Sequence, residues 1–372
     1  MKFVICGLSI SSAWGNGHAT LLRGLFRALN RRGHELHFFE RDAPYYAAHR
    51  DTHTFAYVDL HLYSELESVL PVLRRHLADA DAAIVTSYCP DGSRASELIT
   101  DSYVPCKIFY DMDTPVTLSR LDRGEIVDYL PAAGLRHFDL ILSYTGGETL
   151  TRLRERLQAQ RVAPLYGWVD PDVHHPTHPR SGYVSDLSYL GTYAADRQQA
   201  LQDLLLAPAH QLPRRTFVIG GPMYPDAEQW PKNVQYRSHV PPAEHPSFYC
   251  SSRLTLNITR GAMAALGYCP SGRLFEAAAC GTPVLSDWWT GLDNFFTPGE
   301  EILIARTTED AIAAISADSE ALRRIGSRAR ERALDCHTAE IRARQLLEMI
   351  SHTRSEHQTT NAEAAACALE EV

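Results

Sequence analysis

Short apolar runs of strand length alternate with longer segments of helical period along this chain, and the alternation occurs twice. That pattern predicts parallel strands joined by crossover helices, because strands covered on both faces read as continuous apolar runs. The first set is Lys2–Cys6, Glu35–Phe39, Ala82–Thr86, Cys106–Tyr110, Leu140–Ser143 and Val162–Tyr166. Together these make one Rossmann-like sheet. Between its first two members, Leu21, Leu22, Leu25, Phe26 and Leu29 share a helical face, Arg31 and Arg32 suit the negative end of the helix dipole, and Gly33 can close the helix left-handed.

From Val169 to Arg180 the sequence changes to VDPDVHHPTHPR, where three prolines forbid regular pairing or helix, so it reads as a linker. The alternation then restarts with Leu187–Leu190, Thr216–Ile219, Val234–Tyr236, Leu254–Asn257, Pro283–Ser286 and Ile302–Ile304, a second Rossmann-like set. The expected organisation is an N-terminal domain over 1–168, a C-terminal domain over 169–352 and a tail over 353–372. Ala339–Ile350 is helical in period and able to pack back on the first domain, while the polar, then Ala-rich tail reads as a frayed helix or a disordered segment. An α/β protein of two such domains facing each other encloses a cleft at the carboxyl ends of both sheets, where open sheets bind ligands.

A length of 372 residues favours two cores over one. The net charge of −9 disfavours a broadly basic nucleic-acid binder. No stretch reaches the length of a membrane span, and the apolar start MKFVICGLSI is too brief for a signal peptide. Eight cysteines without CxxC spacing, mostly inside or beside apolar runs, read as buried reduced thiols of a cytoplasmic protein.

The chemistry is expected in strand-to-helix loops. In the first, Gly15-Asn-Gly17 precedes a helix, so backbone N–H groups can approach an anion or a sugar. It is not GxGxxG, and the single acid Glu40 at the end of the second strand is a weak match to a dinucleotide-binding site. His18, at the helix start, reads as a general base or as a loop histidine that caps or packs. Asp111-Met-Asp113 follows a strand; its carboxylates suit a divalent cation or a substrate hydroxyl, although Asp and Pro115 are also ordinary turn residues. His18 and Asp111 are the catalytic candidates, and no metal site is assigned.

The densest stretch runs from Arg253 to Asp293. Arg260 follows a strand; Ser271 and Gly272 open a short helix with N–H donors for phosphate; Arg273 adds a forked cation; and Glu276, one turn on, can accept from a vicinal diol. The alternative is an Arg273–Glu276 surface ion pair, which the apolar setting LFEAAAC disfavours.

Here the sequence resembles a known family. GRLFEAAACGTPVLSDWWTGLDNFFTPGEEILIA is similar to the C-terminal signature of GT-B glycosyltransferases, in particular the CgeB-like (spore-maturation-protein-type) family. DLSYLGTYAADRQ, FVIGGPMYP, VQYRSHVPPAEHPSFY and LTLNITR extend the resemblance upstream, with YTGGETL and LYGWVDPDVHHP carrying it more loosely into the first half.

The resemblance implies two Rossmann-like domains and a nucleotide-diphosphate sugar, UDP- or GDP/TDP-linked, held by the second. It casts Glu276 as the carboxylate on the donor ribose, Arg273 with Gly220-Gly221 and Arg197 at the diphosphate, and His239 and Val240 as backbone readers of the base. Where retaining relatives carry a second Glu, eight positions before the ribose-binding one, this chain has Tyr268, which leaves donor-sugar recognition and stereochemistry open. The expected activity is metal-independent transfer of a sugar to a hydroxyl acceptor without any cofactor. A sugar-nucleotide epimerase of the same build and a hinged two-domain binding protein are the alternatives.

Overall fold

The computed structural model describes residues 1–225 and 227–370, with side chains through Glu356 and none given for Asp226. Two compact units emerge: Met1–Tyr166 with Glu340–Val372, and Gly167–Ala339.

The first unit holds seven strands: β1 Lys2–Gly7, β2 Glu35–Arg41, β3 Asp59–Tyr63, β4 Ala82–Thr86, β5 Lys107–Asp111, β6 Leu140–Ser143 and β7 Val162–Pro164. They lie in the order β3-β2-β1-β4-β5-β6-β7, all parallel. Successive strands are laid down outward in one direction from β1 and in the opposite direction from β4, so the order reverses between β1 and β4, the place where open α/β sheets bind ligands. The helix Gly17–Arg31 buries Ala19, Leu21, Leu22, Leu25, Phe26, Ala28 and Leu29, is capped by the Asn16 side chain, and is followed by Gly33 at φ +80°. Its apolar stripe supplies the packing that keeps a helix of this length folded.

The last helix, Ala339–Glu370, belongs to this unit in its described part. Ala343, Leu346 and Ile350 are buried, Glu340 pairs with Arg32, Arg342 Nε donates to Tyr166 O at 3.1 Å, and Arg354 pairs with Asp81 at 3.2 Å. The segment expected as a frayed or disordered tail thus continues this helix as far as Glu370; its side chains beyond Glu356, Cys367 included, lie outside the described residues. The other seven cysteines are free thiols.

The second unit repeats the plan with six strands: β8 Leu187–Leu190, β9 Phe217–Gly220, β10 Val234–Arg237, β11 Thr255–Asn257, β12 Val284–Ser286 and β13 Leu303–Ile304. Their order is β10-β9-β8-β11-β12-β13, again parallel, with the reversal between β8 and β11. Phe217, Ile219, Leu254, Leu256 and Leu285 form the centre of its core. The Pro- and His-rich stretch expected as a linker is folded into this unit. Its Asp170 accepts from Asp172 N at 3.0 Å and from His174 N at 2.9 Å, and Val169 N donates to His337 O at 2.9 Å. No helix of the described residues is long and apolar enough to cross a membrane.

Candidate active site

In the second unit the residues singled out in the sequence gather at the carboxyl ends of β8, β9 and β11. The Ser271 side chain caps the helix Gly272–Ala279 by accepting from Arg273 N at 3.3 Å. From the first turn, Arg273 reaches back across the sheet: Nε donates to Leu190 O at 2.5 Å, Nη1 to Asn257 Oδ1 at 2.8 Å, and the guanidinium lies 5.1 Å from the centre of the Tyr189 ring. Those contacts fix it at the reversal point between β8 and β11.

Two glycines give it room. A Cβ on Gly191 would lie 3.0 Å from Arg273 Nη2, and one on Gly221, at φ +139°, would lie 2.1 Å from Gly191 O. The loops after β8 and β9 therefore touch backbone to backbone beside the guanidinium, which only glycine permits. Gly220, just before, packs against Val240.

Arg197 lies after β8, with Nη2 donating to Thr192 O at 2.5 Å and Nε buried without a partner. Burial lowers its affinity for the proton, and the nearby charges of Arg273 and Arg260 lower it further. Arg260, more exposed, leans on Asp196 at 3.4 Å. Three guanidinium groups lie within electrostatic reach of one another, with Asp196 the acid that pairs with Arg260, and can attract an anion.

One turn beyond Arg273, Glu276 is 14% exposed at its side chain; its Oε2 accepts from the Tyr249 hydroxyl at 3.0 Å and lies 4.0 Å from His174 Nε2. Burial works against the carboxylate, but His174, His245, the Tyr249 hydroxyl and Arg273 bring it net below its ordinary range. His174 is lowered to about 4, chiefly by burial, so the ring is neutral at pH 7, and neither of its nitrogens has a partner. His245 bonds Val240 O through Nε2 at 3.2 Å, while its Nδ1 has none. An ionised carboxylate beside two neutral, underused imidazoles can accept from and donate to a vicinal diol.

The sequence reading missed His174, His245 and Tyr249. The signal for His174 was the pair His174-His175 in a Pro-rich stretch that periodicity leaves blank. Val240 is buried with its carbonyl engaged by His245, and His239 beside it is exposed. His174, His245 and Glu276 also bring one potential metal-ligand atom each within 4.8 Å of one another.

In the first unit the loop after β1 is held from below by Glu40. This fully buried carboxylate accepts from Ser9 Oγ at 2.8 Å, Ile10 N at 2.7 Å, Ser11 N at 3.0 Å and Ser11 Oγ at 2.5 Å. Glu40 thus shapes the loop and has no oxygen left over for a ribose. Asn16 ties the loop to the helix, with Oδ1 accepting from His18 N at 3.1 Å and Nδ2 donating to Ser9 O at 3.0 Å.

His18 Nε2 lies 2.7 Å from Asp113 Oδ2, and Nδ1 is buried without a partner. The ring is 5.9 Å from that of Tyr88, which follows β4, so the pair stands at the reversal point of the first sheet. The carboxylate on His18 is Asp113; Asp111 lies beneath it, fully buried, accepting from Asp113 N at 3.0 Å. Burial pushes Asp111 up to about 6.

A folded-state value above the ordinary 3.8 means that the native state holds this proton more tightly than the unfolded chain, so stability falls as pH rises from about 4 to about 6. At ~1.4 kcal/mol per unit the loss is about 3 kcal/mol. Asp111→Asn, which keeps the acceptor for Asp113 N, should gain on the wild type by that amount between about pH 4 and pH 7 in denaturant titrations. Parallel stability curves would remove Asp111 as the titrating group.

Comparisons with known proteins bear on the fold and on the second unit. Residues 197–348 match the family described as "Glycosyl transferase-like". Among solved structures, sucrose-phosphate synthase from Thermosynechococcus elongatus superposes with a TM-score of 0.66 at 14% identity over 96% of this chain and 100% of that one. The Anabaena HepE protein, solved with UDP-glucose, gives 0.65 at 14% identity over 95% and 100%. An α-glucosyltransferase solved with UDP-glucose and DNA containing an abasic site gives 0.70 at 14% identity over 94% and 99%. No curated protein sequence matches the chain. The two parallel sheets with interleaved helices are the GT-B architecture of two Rossmann-like domains. The glycosyl transferase-like segment runs from Arg197 through most of the second unit and into the last helix.

Proposed function

We propose that this protein transfers a glycosyl group from a nucleotide-diphosphate sugar, held by the second unit, to a hydroxyl acceptor served by the first, as a CgeB-like member of the GT-B glycosyltransferases. The observation that carries this reading is the pairing of an anion site, Arg197, Arg260 and Arg273 around Gly191 and Gly221, with a diol site at Glu276 one helical turn away. A diphosphate and the ribose attached to it need those two neighbours. The solved relatives that carry UDP or UDP-glucose support uridine as the base.

In the reaction the bond from the sugar C1 to the phosphate oxygen breaks, a bond from C1 to the acceptor oxygen forms, and the acceptor proton leaves to a base. The arginines and the N-terminus of the helix Gly272–Ala279 stabilise the charge on the departing diphosphate, the preorganised electrostatic form of catalysis. Because guanidinium groups supply this charge, transfer is expected to be metal-independent. His18, oriented by Asp113, takes the acceptor proton, and a net charge of −9 supports an acceptor other than nucleic acid.

A thermal-shift panel of UDP-, GDP- and TDP-sugars in EDTA tests the reading, since a ligand specific to the native state raises the melting point by mass action. A UDP-sugar should stabilise the protein more than the others and should be turned over only when an acceptor hydroxyl is supplied. No shift with any nucleotide sugar, or epimer formation without acceptor, would overturn it.

A further inference from the structure

We propose that the first unit carries a transition-metal site built from His37 on β2, His61 on β3 and His76 on the helix Leu66–Leu77, with Asp59 as the fourth ligand. Parallel register sets His37 opposite Asp59 and Phe39 opposite His61, and the two-residue period of strands puts Asp59 and His61 on one face, as it does Glu35 and His37. The helix brings His76 over that face. The rings of His37 and His76 stand 3.8 Å apart between centroids, those of His61 and His76 5.2 Å, and those of His37 and His61 5.5 Å.

One ligand atom from each histidine lies within 4.8 Å of the other two. His37 Nδ1 is 3.2 Å from His61 Nε2 and 3.5 Å from Asp59 Oδ2. Tetrahedral zinc with bonds of ~2.0–2.1 Å to nitrogen requires ligand atoms about 3.3 Å apart, so this edge of the site already has the right span.

The surroundings prepare the nitrogens for a cation. Glu35 Oε1 is 2.6 Å from His37 Nε2; with that nitrogen donating its hydrogen, Nδ1 keeps its lone pair, the carboxylate–histidine–metal arrangement of known zinc sites. His76 Nδ1 is buried with no hydrogen-bond partner. The nearby Lys2 is engaged by Asp79 at 2.6 Å and Glu35 at 3.8 Å. A borderline divalent cation such as Zn²⁺ or Co²⁺ suits three imidazoles and a carboxylate.

His37 is the third residue of β2 and Asp59 the first of β3, whereas His18 and Asp113 follow the carboxyl ends of β1 and β5. The metal therefore staples the edge strand β3 to the helix above it and takes no part in transfer.

The test uses the full chain stripped with EDTA and dialysed, then titrated with Zn²⁺ by calorimetry and with Co²⁺ by visible absorption. Binding at this site should give tetrahedral Co²⁺ bands and a raised melting point. His61→Gln and His76→Gln, checked for folding by circular dichroism, should each weaken binding by more than about 100-fold; Glu35→Gln, which only orients His37, should weaken it by ~10–100-fold. His174→Ala reports on the other His/Glu cluster, in the second unit, and should leave the bands intact. Absence of tetrahedral bands, unchanged affinity in folded His61→Gln and His76→Gln, or loss of the bands only in His174→Ala would each overturn the proposal.

Discussion

Replacing Glu276 with alanine is expected to weaken nucleotide-sugar binding by ~30–1000-fold, the equivalent of ~2–4 kcal/mol, while the second unit stays folded. The size follows from what the carboxylate does. It is ionised, largely shielded from water and spends one hydrogen bond on Tyr249, so its remaining acceptor capacity faces the His174 and His245 side. A diol bound there makes charge-assisted bonds, and alanine removes both. Glu276→Gln keeps the volume and should fall between wild type and alanine, because an amide oxygen accepts without charge. Calorimetry on folded variants decides the matter: equal affinity for wild type and alanine would take Glu276 out of the donor site.

For His18→Ala, kcat should drop by ~10²–10⁴ with donor affinity nearly unchanged, because a base acts in the transition state and not on bound nucleotide. With Nε2 donating to Asp113, Nδ1 is the nitrogen left to receive a proton. Asp113→Asn should share most of the defect, since an amide can hold the ring in either tautomer. An enzyme that retains the donor's anomeric configuration needs no such base, as the leaving phosphate can take the acceptor proton. Near-normal kcat in His18→Ala, or a product of retained configuration, would end this role.

Most of the fold was legible because the central strands are buried on both faces and read as apolar runs; Ala82–Thr86, Leu140–Ser143 and Leu187–Leu190 have the bounds that the runs indicate. The strand β3 was not. It lies at the sheet edge with a sequence, DLHLY, in which only Tyr63 is buried, so its signal is a brief alternation and no run. The site divided in the same way. Arg273 and Glu276 sit at fixed spacing on one helix and could be read directly, whereas His174 reaches Glu276 from more than a hundred residues away in sequence, through a Pro-rich stretch with no period. Asp111 and Asp113 were visible as a pair. Only the fold shows that the first points inward to hold the second against a histidine 95 positions earlier.

The last helix bears on how the protein is made. Its Glu340, Arg342 and Arg354 complete the first unit by meeting Arg32, Tyr166 and Asp81, yet they are translated after all of Gly167–Ala339. On the ribosome, at ~5–20 residues per second, the first sheet therefore waits roughly 10–35 seconds with the apolar seat of Ala343, Leu346 and Ile350 uncovered. During that interval the nascent chain is open to chaperones and to aggregation, and substitutions in this helix should lower the yield of folded protein.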